Sequence, residues 1–330
     1  MKKSLAAVVA IMTALALTAC SSTGSTESTE SNESTESTDA ADGKTYKIGI
    51  LQLTQHAALD NANAGFIAAL DDSGISYTVD QQNASGDQPT CQTIAEKLVN
   101  DGNDLIYAIA TPAAQAAAGM TKDIPIVLSA VTDPAESGLV ADNNAPGGNV
   151  TGTSDLTPVA EQIDLLKQLI PDAKTVGILY CSAESNSAIQ AEMAREACEE
   201  NGLEAIDFTV SSTNEIQTVV ESMVGKVDAI YAPTDNTIAN GMATVAMIAN
   251  DNGLPTICGE SGMVDAGGLA TYGIDYYQLG YMAGEMAVDI LVNGTSPADI
   301  PIGYLSADKC ELAVNEETAA KLGIDVSSIQ

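Results

Sequence analysis

From Tyr46 onward, short apolar runs alternate with longer segments in which apolar residues recur at helical spacing. YKIGILQL (46–53) predicts a strand, and DNANAGFIAALDDSG (60–74) a helix stopping at Gly74. ISYTVDQQ (75–82), DLIYAIA (104–110) and IPIVLSAV (124–131) predict further strands, with helices over QPTCQTIAEKLVNDG (88–102) and AAQAAAG between them. The series then restarts. Helix 158–170 leads to strand 174–181, helix 186–202, strand 203–210, helix 213–225, strand 227–233, helix 237–253 and strand 254–260. Alternation at this spacing means right-handed βαβ units and parallel sheets. One sheet of about nine strands would be wide, so two α/β lobes is the economical architecture. A strand over 268–276, a helix over 277–294 and an extended segment over 301–315 remain. They suit a tail that returns to the first lobe and crosses again to the second. The pattern therefore predicts lobe 1 from 45–153 plus 273–303 and lobe 2 from 154–272 plus 304–330. Hinge segments fall near 152–157, 262–274 and 303–309. Three crossings limit relative motion to opening and closing, which suits a ligand clamp.

The chain before Tyr46 follows a different pattern. Lys2 and Lys3 precede an apolar stretch from Leu5 to Leu17, too short to span a bilayer but long enough for a signal-peptide core. It ends in LTAC, which resembles the lipobox of bacterial lipoproteins, in which the chain is cut before the cysteine and its thiol carries a diacylglycerol. That resemblance assigns 1–20 as the signal peptide, with Cys20 the lipidated residue. An ordinary secretory signal is the alternative. Residues 21–44 are Ser/Thr/Glu-rich with almost nothing to bury, and are expected to form a disordered tether.

Composition narrows the function classes. With 45% hydrophobic residues in 330, the chain can build a core. A net charge of −33, from 45 acidic and 12 basic residues, repels phosphate backbones and argues against nucleic-acid binding. Beyond Cys20 stand Cys91, Cys181, Cys198, Cys258 and Cys310, an odd number without a C-x-x-C pair. They are expected to act mostly as small buried hydrophobes. With His56 the one histidine, a zinc site has no support, and no cofactor is expected. Nucleophile-elbow, HExxH, P-loop and GxGxxG motifs are all missing, which argues against an enzyme.

The motifs NASGDQPTCQTIAEKLVNDGNDLIYAIATPAAQ, VTDPAESGLV, PGGNVTGTSD, VDAIYAPTDNTIANG and AGGLATYGIDYYQLG occur in this order across residues 45 to 325. In them the chain resembles the ABC-transporter substrate-binding lipoproteins, in the tryptophan/tyrosine-binding branch. The resemblance implies a type I periplasmic-binding fold of two Rossmann-like lobes. It also implies a monomer, anchored by lipid on the extracytoplasmic face, that delivers a small molecule to a permease with a cytoplasmic ATPase. Members of one scaffold take different ligands, so another amino acid, a nucleoside or a sugar stays open. So does a lipid-anchored sensor or adhesin with the same cleft.

In open α/β sheets ligands gather at the carboxyl ends of strands, where helix N-termini offer unpaired amides. Three strand–helix junctions stand out. At the first, the Thr111 hydroxyl and the amides of Ala113 and Ala114 would hold a carboxylate, unless Thr111 is merely a cap. The second offers Ser182, Ser185, Asn186 and Ser187, which are also ordinary capping choices. The third offers Asp235 and Asn236 beside Thr234. A desolvated α-ammonium needs an anionic partner, for which Asp235, then Asp275, then Glu260 are the candidates. Asp235 as a plain N-cap is the competing role. Gln55 and His56 follow the first strand and face either the cleft or a surface loop. Asp133-Pro134 suggests a turn. Tyr180, Tyr231 or Tyr276 would wall an aromatic ligand, although the chain has no Trp and only two Phe.

Overall fold

The computed structural model describes residues 43–306, 309–327 and 329. The signal peptide with Cys20, and all of the tether except Gly43 and Lys44, lie outside the described residues. The rest forms two parallel-sheet α/β lobes, as the alternation predicts.

In lobe 1 the order is β1 (Thr45–Gln52), α1 (Ala57–Ser73), β2 (Ser76–Asn83), α2 (Gln88–Asn100), β3 (Leu105–Ile109), α3 (Thr111–Met120), β4 (Ile126–Val131) and β5 (Val150–Ser154). The sheet runs β2-β1-β3-β4-β5, with every pairing parallel. β3 and β4 are buried along their whole length, which explains their unbroken apolar runs. Local signals set the helix ends. Asp87 caps α2 by accepting from the Thr90 amide at 3.0 Å, with Pro89 in the first turn, and Gly74 closes α1 in the left-handed conformation.

Lobe 2 contains α4 (Val159–Leu169), β6 (Thr175–Cys181), α5 (Ser185–Glu200), β7 (Glu204–Val210), α6 (Ile216–Met223), β8 (Ala229–Ala232), α7 (Asn236–Asp251), β9 (Thr256–Cys258), α8 (Ser261–Asp265) and β10 (Ala270–Gly273). α9 (Tyr276–Val288) returns to lobe 1 and packs on α1. The chain then re-enters lobe 2 as β11 (Glu311–Val314) and α10 (Glu316–Leu322). The second sheet runs β11-β10-β9-β8-β6-β7, with β11 antiparallel to β10. Buried Cys91, Cys181, Cys198 and Cys258 fill the cores of the two lobes without forming disulfides.

Three elements are absent from the sequence-based pattern. β5 lies in NVTGTS, whose glycine and threonines resemble a linker. Gly152 has φ 144° there, and an added Cβ would sit 2.1 Å from the Leu128 carbonyl oxygen. α8 and α10 are too short to show helical periodicity. The chain crosses between sheets after Ser154, after Gly273 and after Gly303. These crossings are tied together: Thr153 bridges to Gly303, the Ser154 amide donates to the Gly303 carbonyl at 2.8 Å, and the Tyr276 hydroxyl donates to Asp155 Oδ2 at 2.9 Å.

Candidate functional site

In both sheets the strand order reverses beside the first strand of the lobe, β1 in one and β6 in the other. The loops at these carboxyl ends face each other across the cleft, the expected ligand position in such sheets. A small inner cavity lies between them, lined from lobe 1 by His56, Ala58, Leu59, Ala130 and Thr132, and from lobe 2 by Asn186, Thr234, Asp235, Asn236, Ala239 and Glu260. Asp155 and Tyr276, at two of the crossings, complete the wall. The lobes are tightly apposed there and leave little free space between these side chains. A larger chamber, open to solvent, lies beside it between the β2–α2 and β7–α6 loops, sharing Asn236 as a wall.

Polar bonds join the lobes around the cavity. His56 Nε2 lies 3.2 Å from Asn236 Oδ1, and Gln190 Nε2 donates to Thr132 Oγ1 at 3.1 Å. Gln88 Nε2 donates to the Ala183 carbonyl at 2.8 Å, and Gln115 Nε2 to Ser185 Oγ at 3.3 Å.

The cavity is acidic. Burial pushes Asp155 up to about 6, against the hydroxyls of Tyr276 and Thr132. Burial pushes Glu260 up to about 7, against the amides of Gly262 and Met263. Asp235 also rises to about 7, through burial and then the Glu184 charge. Burial lowers His56 and keeps its ring neutral near pH 7. Among the described residues that line the cavity there is no Lys or Arg. Three buried polar atoms on this wall have no hydrogen-bond partner: Asp155 Oδ1, Asn186 Oδ1 and His56 Nδ1. With Nε2 donating to Asn236, Nδ1 carries no hydrogen, so all three are acceptors.

The sequence candidates divide accordingly. His56, Asn186, Asp235, Asn236 and Glu260 line the cavity. Asp235 is also the N-cap of α7: Oδ1 accepts from the Ile238 amide at 2.7 Å and Oδ2 from the Cys181 amide at 2.6 Å. Ser187 is buried and bonds Asn186. Gln55 is exposed and Ser182 turns back to the Val210 carbonyl, so neither contributes to the cavity wall. Ser185 bridges the lobes through Gln115 rather than lining the inner cavity. Asp275 is exposed and caps α9 through the Gln278 amide at 3.1 Å.

The first junction differs from expectation. The N-cap of α3 is Ala110, at φ 84° and ψ 151°, and Thr111 is already inside the helix. Its hydroxyl is buried without a partner and lies outside the cavity wall. It is not the cap, and in this arrangement it does not reach the inner cavity. Ala113 and Ala114 are fully buried, and the Ala114 amide is spent on the Ala110 carbonyl at 3.0 Å. Tyr231 is sealed in the core, where its hydroxyl donates to Gln162 Oε1 at 2.7 Å. Tyr180 bonds Asp207 on the surface of lobe 2, leaving Tyr276 as the aromatic in the cavity wall.

Sequence reasoning missed Glu184, Asp155 and Thr132. Glu184 is buried and gathers the second and third junctions. Oε1 accepts from the Thr237 amide at 3.0 Å and its hydroxyl at 2.8 Å, while Oε2 accepts from Asn236 Nδ2 at 2.6 Å. Glu184 sits two residues before the predicted helix 186–202, a position that composition alone does not distinguish from a surface acid. A helix start that stays open is that of α1, where His56 is the N-cap without a side-chain cap bond and Ala58 and Leu59 line the cavity.

A family model for ABC transporter substrate binding proteins matches residues 47–328. The chain is 46% identical to a tyrosine-binding protein of Clostridioides difficile over 84% of this chain and 81% of that protein. It resembles an ABC domain from Streptococcus pneumoniae solved in complex with L-Trp, at 42% identity, 87% and 97% coverage and a TM-score of 0.83. It also resembles a ligand-free, open substrate-binding protein with adhesive properties from Clostridium difficile, at 44% identity and 86% and 97% coverage, with a TM-score of 0.66. At similar identity, the overall arrangement is nearer to the ligand-bound relative than to the open one.

Proposed function

Because this chain belongs to the ABC transporter substrate-binding protein family, we propose that it captures an aromatic amino acid, tyrosine or tryptophan, between its lobes. The observation that carries the ligand class is that the unpartnered atoms on the cavity wall are all acceptors, in a setting of buried carboxylates. An α-ammonium supplies three donors and a positive charge to such a wall. Asp155 and Glu260 hold it, with Asn186 and His56 as further acceptors. The ligand carboxylate meets the uncapped start of α1, whose first amides have no intrahelical partner and whose dipole favours an anion. The ring extends toward the larger chamber. Tyrosine and tryptophan are the choices suggested by the C. difficile and S. pneumoniae relatives.

The lobes hinge at the crossings near 152–157, 262–274 and 303–309, and closure presents a surface to a membrane permease with its ATPase. The protein acts by binding and release rather than turnover. It works as a monomer held to the outer face of the membrane by lipid on Cys20, after removal of 1–20, with 21–44 as tether. Among the described residues no helix is long and apolar enough to cross a membrane.

Thermal-shift measurements against the twenty amino acids, alongside sugars and nucleosides, test this reading. A ligand at 100 times its Kd adds about 2.7 kcal/mol of stability. A shift with tyrosine or tryptophan supports it, and a shift only with a sugar or nucleoside overturns the ligand class. The adhesive relative gives weight to a second, non-transport role with the same cleft. Tyrosine and tryptophan uptake that survives deletion of the gene would favour that role.

A further inference from the structure

Asp155 directly follows the last residue of β5, on the first crossing, while its partner Tyr276 begins α9 just after the second. The third crossing reaches the same point through Gly303, which is paired with Thr153 and accepts from the Ser154 amide. The Asp155 amide donates to the carbonyl of Val131 at the end of β4, at 3.2 Å. The side chain is 5% exposed, and its Oδ1 has no donor. A second carboxylate, Glu260, lines the same small cavity. Two carboxylates stripped of water in one cavity each lose hydration and repel each other, so the closed arrangement is unfavourable while both are charged and uncompensated.

We infer that Asp155 is the positioning residue that couples ligand charge to lobe closure: an ammonium bound at Asp155 and Glu260 removes the repulsion opposing closure, and the Tyr276 hydroxyl passes the position of the Asp155 carboxylate to the second crossing. This rests on the amino-acid reading above. Asp235 lines the cavity too, but both of its oxygens are held by backbone amides, Oδ2 by Cys181 at the end of β6 and Oδ1 by Ile238 in α7, and His56 is neutral, so neither supplies a positive charge to the pair.

The test is the distance between spin labels on the two lobes of the full chain, measured near pH 8 without ligand and with saturating L-tyrosine or L-tryptophan, alongside calorimetric affinities. Asp155→Asn keeps an acceptor for Tyr276 and removes the charge. Its ligand-free closed population should rise several-fold over wild type, while affinity falls about tenfold or more, as expected for losing one charged partner. Glu260→Gln should move both readouts the same way, and it carries the test should the first variant fail to fold. Tyr276→Phe keeps both carboxylates, and at saturation it should populate the closed state less than wild type does. A merely structural tyrosine would lower the Tm without changing that population. The inference is overturned if both carboxylate variants stay as open as wild type without ligand, or if saturated Tyr276→Phe closes fully. If no amino acid changes the wild-type distance, the amino-acid reading fails, and the ligand-free variants still decide whether charge opposes closure.

Discussion

Thr111 and Asp155 show how differently two buried polar side chains can matter. The Thr111 hydroxyl is sealed within lobe 1 with no partner, so it costs desolvation and gains nothing in return. Thr111→Val should therefore leave amino-acid affinity unchanged and be neutral or stabilising by up to about 1 kcal/mol, read from urea unfolding and calorimetry. A loss of affinity would restore Thr111 as a ligand group. Asn236 occupies the opposite position, joining His56 across the cleft and Glu184 within lobe 2. Asn236→Ala should weaken ligand binding by about tenfold through loss of closure contacts and of the bond to a buried carboxylate, with the change mostly in the off-rate. Stopped-flow dissociation measures it. Only part of this was legible in the sequence. His56, Asn186, Asp235, Asn236 and Glu260 stood out because they border strand–helix junctions. The pairing of Asp155 with Tyr276, 121 residues apart, and the orphaned acceptors around it exist only once the lobes meet.

At the scale of elements, the alternation of apolar runs and helical periodicity defines most strands and helices to within a few residues, since a strand buried on both faces leaves an unbroken apolar run. β5 escapes that logic. It is short, carries a glycine at positive φ, and is held by close contact with β4 instead of by its own hydrophobicity. The α1–α9 contact is likewise invisible to periodicity. It depends on glycines that let the two backbones touch: a Cβ on Gly280 would lie 1.9 Å from the Ala62 carbonyl oxygen, and one on Gly65 would lie 1.9 Å from that of Tyr277. Gly280→Ala must push the helices apart and should destabilise lobe 1 by about 1–3 kcal/mol, the usual cost of overpacking. Denaturant midpoints test this, and an unchanged midpoint would mean that α9 shifts freely. Ala110 invites the reverse experiment. Its φ of 84° with ψ 151° is a conformation that favours glycine. Ala110→Gly should therefore gain about 1 kcal/mol through relief of strain, read as a higher Tm.

For the whole molecule, the buried acids tie stability to pH. Asp155 and Glu260 rise from ordinary values of 3.8 and 4.5 to about 6 and 7. A carboxyl whose folded value is raised binds protons on folding, so its contribution is fully present below its unfolded value and is lost as pH rises through the folded one. Ligand-free stability should accordingly fall between about pH 4 and pH 7, as Asp155, Glu260 and Asp235 ionise beside Tyr276, Thr132, Glu184 and Asp265. An ammonium must displace those protons at low pH. The rise in Tm on adding tyrosine or tryptophan should thus be larger at pH 8 than at pH 5, and an equal rise at both would exclude the acids from ligand binding. The division into two parallel-sheet lobes was legible from the repeated alternation, whereas the closeness of the lobes was not, because it depends on contacts between segments far apart in the chain. One further consequence lies in the capped helix starts. α2, α7, α8 and α9 each have an N-terminal amide held by a carboxylate of the chain itself, from Asp87, Asp235, Glu260 and Asp275. Such helix starts are where inorganic phosphate, sulfate, nucleotides and sugar phosphates ordinarily gain a hold. By plugging these four starts from within, the chain denies such anions a hold there, while the start of α1 in the cleft wall carries no side-chain cap.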